Sequence, residues 1–337
     1  MNKPKWVVRS ATGDDAAGIQ SLFRKVFHFD RDDSAYFWKF WSNNDARSII
    51  TVAEADGRII GHCALWGAPL RIGGERVLGA QAVDIMTDPD YQRQGMFVAL
   101  AEAAMELAAE QGIELLYGFP NSNAYPGWIN RLGWTHSGNV GMWVRPLKPS
   151  KHRRIPPVLG TMADSLSNLI PKGSSQGYEI ANEAPSDCEL DRFLDEWGET
   201  SRVCQVDRTR SRLRWRFSPE AGLNHQWISV NGCGGKPHAI ATWGVDPQTG
   251  NAVLSEVMGL SLAARIGAVS AAVANAGRAG HPIMLSITND EDLIPAMRRC
   301  GFFRFKDAPF ITRQLSQRTF GVNARKWRIQ ASDLDAY

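Results

Sequence analysis

The sequence is poor in cysteine for its 337 residues: Cys63, Cys188, Cys204, Cys233 and Cys300 are odd in number, widely spaced and include no CxxC pair. That argues against a disulfide framework and against a thiolate metal site; a reducing cytoplasm fits best, and no metal is expected. Long hydrophobic runs are also lacking. No segment approaches the roughly 18 apolar residues of a membrane span, and the opening MNKPKWVVRS enters a short apolar run without a signal-like region. Neither export nor membrane insertion is expected. A net charge of only +3 gives no electrostatic case for a nucleic-acid partner. With 44% hydrophobic and 22% charged residues, the chain is long enough for about two ordinary domains, each with its own core. Nothing in it reports an oligomeric state.

From Lys5 to about Leu147, strand-like and helix-like segments alternate. WVVR is followed by an amphipathic DDAAGIQSLFRKVF and then by SIITVAEADGRIIGHCALWG, two apolar runs joined at Asp56-Gly57, a strong hairpin signal. Another strand runs from about Val77 to Thr87, and a helix begins near Gly95. Phe97, Leu100, Ala101, Ala104, Leu107 and Ala108 share one face of that helix, Glu102, Glu106 and Glu110 the other, and Gly112 closes it. ELLYGF reads as a buried strand, NAYPGWINRLGW as a turn and short helix, and VGMWVRPL as a last strand. Mixed α/β with a hairpin-rich first half is the expected class.

Between Lys148 and Gly177 the composition shifts to Pro, Ser, Gly and basic residues, with TMADSLSNLI as a possible short helix inside it. This is the expected boundary between a domain over 1–147 and a second over 178–315, with a tail over 316–337. The basic cluster Lys151, His152, Arg153 and Arg154 has no interleaved aromatics and reads as solvated linker. The second half repeats the order of the first. Asn121 follows a short strand and precedes Gly133-Trp134 by twelve positions; Asn289 precedes Gly301-Phe302 by the same interval, the pattern of a diverged internal duplication.

The stretch DIMTDPDYQRQGMFVAL, Asp84 to Leu100, passes from strand to helix at a glycine, and the helix has no acidic residue in its first turn. A helix N-terminus presents unpaired amides and a partial positive charge, which attract phosphate where glycine lets the backbone come close. Gly95 and Arg93 suit that use, and Pro89 ends the strand. The alternative is an ordinary strand–turn–helix connection that binds nothing.

These residues resemble the GNAT superfamily of acyl-CoA N-acyltransferases, whose pyrophosphate loop reads Gln/Arg-x-x-Gly-x-Gly/Ala after a strand and an hPxY turn. TDPDYQRQGMF supplies Thr87, Pro89, Tyr91, Gln92 and Gly95 at matching places, and FPNSNAYPGWINRLGW resembles the family's strand, Asn, short helix and LGW ending. Phe97 departs from the usual small residue. All of residues 5 to 147 fit, and the second half resembles a degenerate second domain of tandem members, with no Gly-rich loop before its helix at Ser261. The resemblance implies a mixed, mostly antiparallel central sheet flanked by helices, present twice in tandem. It implies acetyl-CoA bound through the amides of Gln92, Arg93, Gln94, Gly95, Met96 and Phe97, with pantetheine along Ile85, Met86 and Thr87 and a contact from Asn121. It further implies direct attack of an amine on the thioester in a ternary complex, which needs a neutral amine and a proton for the departing thiolate.

The family's usual acid, a Tyr four residues before the Gly of LGF/LGW, is replaced here by Ile129, and Tyr125 is the nearest substitute; it also reads as a tyrosine packed at a helix start. For the base or amine-binding group, Asp84 lies just before the expected splay, and strand alternation puts it opposite Val83 and Ile85, towards an acceptor cleft. A carboxylate between AV and IM is costly to bury alone, so the choice is a functional role or an ion pair. His62 is a further base candidate, whereas Cys63 has no His and Asp pattern for nucleophilic work. Most tryptophans, such as Trp66, Trp143, Trp227 and Trp243, sit in apolar runs and read as core; Trp38 and Trp41, in YFWKFW, are candidates for lining an acceptor site such as one for an amino sugar. The leading expectation is an N-acetyltransferase acting on a small primary amine. The alternatives are a Fem-like aminoacyl or long-chain acyl transferase and a catalytically inactive CoA-binding module.

Overall fold

The computed structural model describes residues 6–43, 45–151, 164–165, 170–171, 173–174, 177–198, 204–318, 320 and 326–335. The basic cluster beyond Lys151 and most of the short helix read over TMADSLSNLI lie outside the described residues. The chain divides into two compact units, residues 1–138 with 309–323 and residues 139–308 with 324–337. The contact-based bounds follow the strands: most of β8, Thr135–Pro146, falls in the second unit, and the end of β15, Phe303–Gln314, falls in the first.

In the first unit β1 (Val7–Ser10), β2 (Ile49–Ala55) and β3 (Arg58–Gly67) pair antiparallel. The β2–β3 turn is Asp56-Gly57, with φ +50° and +72°, the left-handed values that a two-residue hairpin needs. A small hairpin not anticipated from the sequence, β4 (Leu70–Ile72) and β5 (Glu75–Val77), precedes β6 (Gly79–Thr87). β6 is antiparallel to β3 and parallel to β7 (Leu115–Gly118). The helices are α1 (Ala16–Phe27), α2 (Asp33–Trp41), α3 (Met96–Glu110) and α4 (Tyr125–Asn130).

α3 buries Leu100, Ala101, Ala104 and Ala108 against β2 and β3. Gly61 on β3 makes the approach possible: a Cβ there would lie 2.5 Å from Met96 Sδ and 2.9 Å from Leu100 Cδ1. Thr51 Oγ1 donates to Leu100 O at 2.9 Å, tying the helix to the strand. On β3, Cys63 and Leu65 belong to this α3-side core, while Trp66 Nε1 donates to Lys39 O of α2 at 2.8 Å on the opposite face.

β8 (Thr135–Pro146) begins in the first unit and continues into the second, where it pairs antiparallel with β14 (Ile283–Thr288). The second unit also contains β9 (Glu179–Ala181), α5 (Asp187–Gly198), β10 (Cys204–Val206), α6 (Arg210–Arg216), β11 (Gln226–Asn231), β12 (Pro237–Val245), β13 (Ala252–Gly259), α7 (Leu262–Ala279) and α8 (Ile294–Arg299). Its strands run in the order β8-β14-β13-β12-β11-β9, with β13 parallel to β14. β15 (Phe303–Gln314) returns to the first unit, where Ile311 to Gln314 pair with β7. β16 (Trp327–Arg328) pairs in parallel with β10.

The two units share part of their element order. Each unit has a parallel strand pair, β6–β7 or β13–β14, with a long helix after the pair's first strand and a short Pro-containing helix after its second, followed by a glycine of positive φ, Gly133 at +64° or Gly301 at +81°. The C-terminal segment is fastened to the second unit by buried arginines. Arg216 donates from Nε to Ser332 O and from Nη2 to Leu334 O, both at 2.9 Å, and Arg208 Nη2 meets Asp333 at 2.8 Å and Glu256 at 3.1 Å. Gln330 accepts from Val257 N at 2.7 Å and donates to Val257 O at 2.8 Å.

Candidate active site

β6 and β7 pair over Gly79–Leu115, Ala80–Leu116 and Gln81–Tyr117, and no further. From Ala82 to Thr87 the β7-facing edge of β6 therefore carries main-chain groups without a strand partner among the described residues. The other edge is irregular at the same level. Against β3, His62 pairs with Met86 and Ala64 with Val83, so Cys63 alone faces Asp84 and Ile85. This is a β-bulge, and Asp84 takes the left-handed conformation, φ +47°, that lets one residue be added. The bulge shifts the alternation by one. Ala80, Ala82 and Ile85 pack in the α3-side core, while Asp84 turns to α1 and α2 on the other face; strict alternation from Ala80 would have buried it under α3.

Asp84 lies there between two cations. Arg31 Nη1, from the α1–α2 connection, approaches Oδ2 at 2.5 Å, and Lys39 Nζ of α2 approaches Oδ1 at 3.0 Å, with the Asp84 side chain 8% exposed. Burial alone would raise its carboxyl, but Lys39, Arg31 and His62 outweigh that and hold it well below the usual carboxylate range. It is an anion with both oxygens engaged, an arrangement suited to positioning rather than to proton abstraction. The Asp84 main-chain carbonyl accepts from His62 Nδ1 at 2.6 Å. Burial pulls His62 down to about 4, so the ring is neutral with its proton on Nδ1. Cys63, fully buried, has its thiol pushed up to about 12 and is inert.

The loop expected to cradle phosphates follows directly. Asp88 caps the Pro89–Tyr91 turn by accepting from Asp90 N at 3.0 Å, and Lys25 Nζ clamps Asp88 at 2.6 Å and Asp90 at 2.8 Å. Arg93 and Gly95 both have positive φ, +62° and +81°, and a Cβ added at Gly95 would meet nothing within 4 Å. Gln92 to Gly95 are exposed, and among the described residues no protein acceptor takes the amides of Arg93 to Phe97. The corresponding helix of the second unit is closed: Ser261 caps α7 by accepting from Ala264 N at 3.1 Å. The two helix starts thus differ in the feature an anion needs.

Met96 is buried in the core and Phe97 stacks edge-on with Trp128 at 5.3 Å, its ring lying against Gly127. The bulk that departs from the family pattern therefore points towards α4 and not over the loop amides. Asn121 is exposed and uses Oδ1 to accept from Asn123 N at 3.0 Å and Ala124 N at 2.9 Å, fixing the turn into α4. Tyr125, half-buried, packs against His136 at 5.8 Å and on the α3-side core. No contact among the described residues joins it to Asp84, which lies on the other face. Trp66, Trp143 and Trp243 are core residues; Trp38 is buried beside Trp66 at 6.4 Å, and Trp41 is exposed.

Sequence reasoning did not find Arg31 or Lys39. The signal for Lys39 was present, a lone cation inside the aromatic run YFWKFW, which a buried counter-ion must accompany. Among the described residues no helix is long and apolar enough to cross a membrane, and no group of three or more His, Cys, Asp or Glu could hold a metal ion.

Residues 7–137 match the domain described as an acetyltransferase (GNAT) domain. An uncharacterized N-acetyltransferase of Methanocaldococcus jannaschii is 26% identical over 156 residues, covering 42% of this chain and 66% of the relative, just under two thirds of its length. Among solved structures, a GCN5-related N-acetyltransferase from Anabaena variabilis superposes with TM-score 0.64 at 12% identity, over 92% of this chain and 73% of the other. Saccharomyces cerevisiae N-myristoyltransferase with bound myristoyl-CoA gives 0.67 at 10% identity, over 93% and 83%. A putative acetyltransferase from Pyrococcus horikoshii gives 0.59 at 12%, over 97% and 94%. At these identities the structures show the fold.

Proposed function

We propose, from the premise that residues 7–137 form a GNAT acetyltransferase domain, that the chain moves an acetyl group from acetyl-CoA to the primary amine of a small molecule. One observation carries this reading: the amides of Arg93 to Phe97 at the start of α3, unshared among the described residues and with residues Gln92 to Gly95 exposed, directly after a strand whose edge is open from Ala82 to Thr87. The amides of Gln92 to Phe97 and the Arg93 side chain hold the diphosphate, and the edge at Ile85, Met86 and Thr87 receives the pantetheine amides. Asn121 orders the turn beside them. A neutral amine attacks the thioester carbonyl, the C–N bond forms and the C–S bond breaks; the thiolate takes a proton from the Tyr125 phenol or from water, and the proton that the new amide nitrogen sheds passes through water to restore that donor. Asp84 positions the groups facing the acceptor.

The likeness to N-myristoyltransferase motivates a longer acyl group as the second reading, and a series of acyl-CoA chain lengths separates the two. The test of the site is a pair of substitutions that both tolerate positive φ. Gly95→Asn should bind acetyl-CoA within about threefold of the parent, whereas Gly95→Asp puts a carboxylate at the helix start and should weaken it by about ten- to a hundredfold. Isothermal titration reads both. Equal affinities for the two variants would remove the diphosphate from this loop, and binding without turnover of any amine would leave a CoA-binding module.

A further inference from the structure

Arg31 is nine-tenths buried, and its three nitrogens are unequally used. Nε donates to Gln20 Oε1 at 2.9 Å and Nη1 to Asp84 at 2.5 Å, while Nη2 is covered and has no hydrogen-bond partner among the described residues. A buried donor of a charged group left without an acceptor is costly, and native proteins keep such groups where something else completes them. The guanidinium is held in place by more than its ion pair, since it lies over the rings of Phe23 at 4.1 Å and Tyr36 at 5.0 Å. It is anchored, through Asp84, to the bulge on the open stretch of β6.

The α1–α2 connection is short, His28, Phe29, Asp30 and Asp32 in it are exposed, and Gln20 Nε2 holds it by donating to Arg31 O at 3.0 Å. An acceptor that uses Nη2 has to enter beside that connection.

We infer that the acceptor is an amine that also carries a carboxylate, an amino acid or similar small molecule, and that Arg31 recognises the carboxylate through Nη2. This rests on the transferase reading and names its substrate class. One unused guanidinium nitrogen suits a monoanion; a phosphate dianion would be left half-compensated. Asp84 has a second task here, since it holds the guanidinium in register and repels an acceptor that presents its acid at the wrong place.

The experiment uses the full chain, acetyl-CoA and amine pairs that differ only by the carboxyl: lysine with cadaverine, phenylalanine with phenethylamine, and glycine with methylamine. Binding in the presence of CoA is followed by saturation-transfer NMR and turnover by thiol release. The acid-bearing members should bind and should be favoured in kcat/KM by about tenfold or more. Arg31→Lys keeps a cation for Asp84 but lacks the second nitrogen, so it should raise KM for them by about tenfold with kcat within about threefold and acetyl-CoA affinity unchanged. Arg31→Gln should act in the same direction, with a thermal-shift measurement to separate unfolding from lost recognition. Equal use of both members of each pair, equal KM effects on both, or no binding of any acid-bearing member while acetyl-CoA binds would each overturn the inference. Failure of acetyl-CoA to bind is a different result and removes the transferase reading itself.

Discussion

Asp84→Asn should destabilise the first unit by about 3–5 kcal/mol, because it leaves Arg31 and Lys39 buried beside a neutral amide. The substitution changes almost no volume, so the loss reports charge and not packing. It should also change the response to acid. The folded carboxyl lies below its ordinary value, so the stability it contributes is present above about pH 4 and drains away as the pH falls through and below that value. The variant lacks this component and should have the flatter curve there. His62 adds a slope that both proteins share: held down to about 4 by burial, it stays neutral while the unfolded ring, with an ordinary value of 6.5, takes a proton. Stability then falls as pH drops from about 6.5 towards 4. Urea unfolding at pH 7, 5 and 3.5 checks both statements, and a variant within about 1 kcal/mol of the parent at pH 7 would contradict the ion-pair argument.

Arg208→Met should cost the second unit a similar amount, about 3–5 kcal/mol, since it strands Glu256 and Asp333 against each other in the interior. Here the pH dependence has the opposite sign. Burial raises the Glu256 carboxyl, and Asp333 adds to the rise while Arg208 opposes it. An acid with a raised folded value gives stability that is fully present below its unfolded value and is lost as pH climbs through the folded one. Removing Arg208 deletes the opposing influence, so the defect should be largest at neutral pH and should shrink towards pH 5. A defect of the same size at both pH values would show that lost packing, not stranded charge, causes it. The same substitution should loosen the C-terminal segment, which limited proteolysis near Gln330 would detect.

What was legible in the sequence is what local chemistry alone decides. Asp56-Gly57 could only be a tight turn, and the alanine face of α3 could only be buried, whatever surrounded them. Gly95 and the two Asn-to-Gly intervals likewise carried their backbone requirements in their own residue types. The bulge at Asp84 had no such marker, because a bulge is a mismatch between two strands and neither strand records it alone. Arg31 was invisible for a related reason: it sits in an irregular connection, and its partner is 53 positions away. The division read at 147 and 178 rests on composition, which locates where a chain is exposed and not which sheet a strand joins.

The fate of β8 and β15 has a consequence for how the protein is made. As the chain leaves the ribosome, the first sheet reaches β7 and then waits with that side uncovered, because the residues that close it are Ile311 to Gln314 of β15. Roughly the whole second half must be synthesised during that wait, so vectorial completion of the N-terminal half is excluded and aggregation through the bare β7 edge is the hazard to be managed. A gene cut within 148–177 would yield two fragments that each lack a closing strand, and they should become soluble only when produced together.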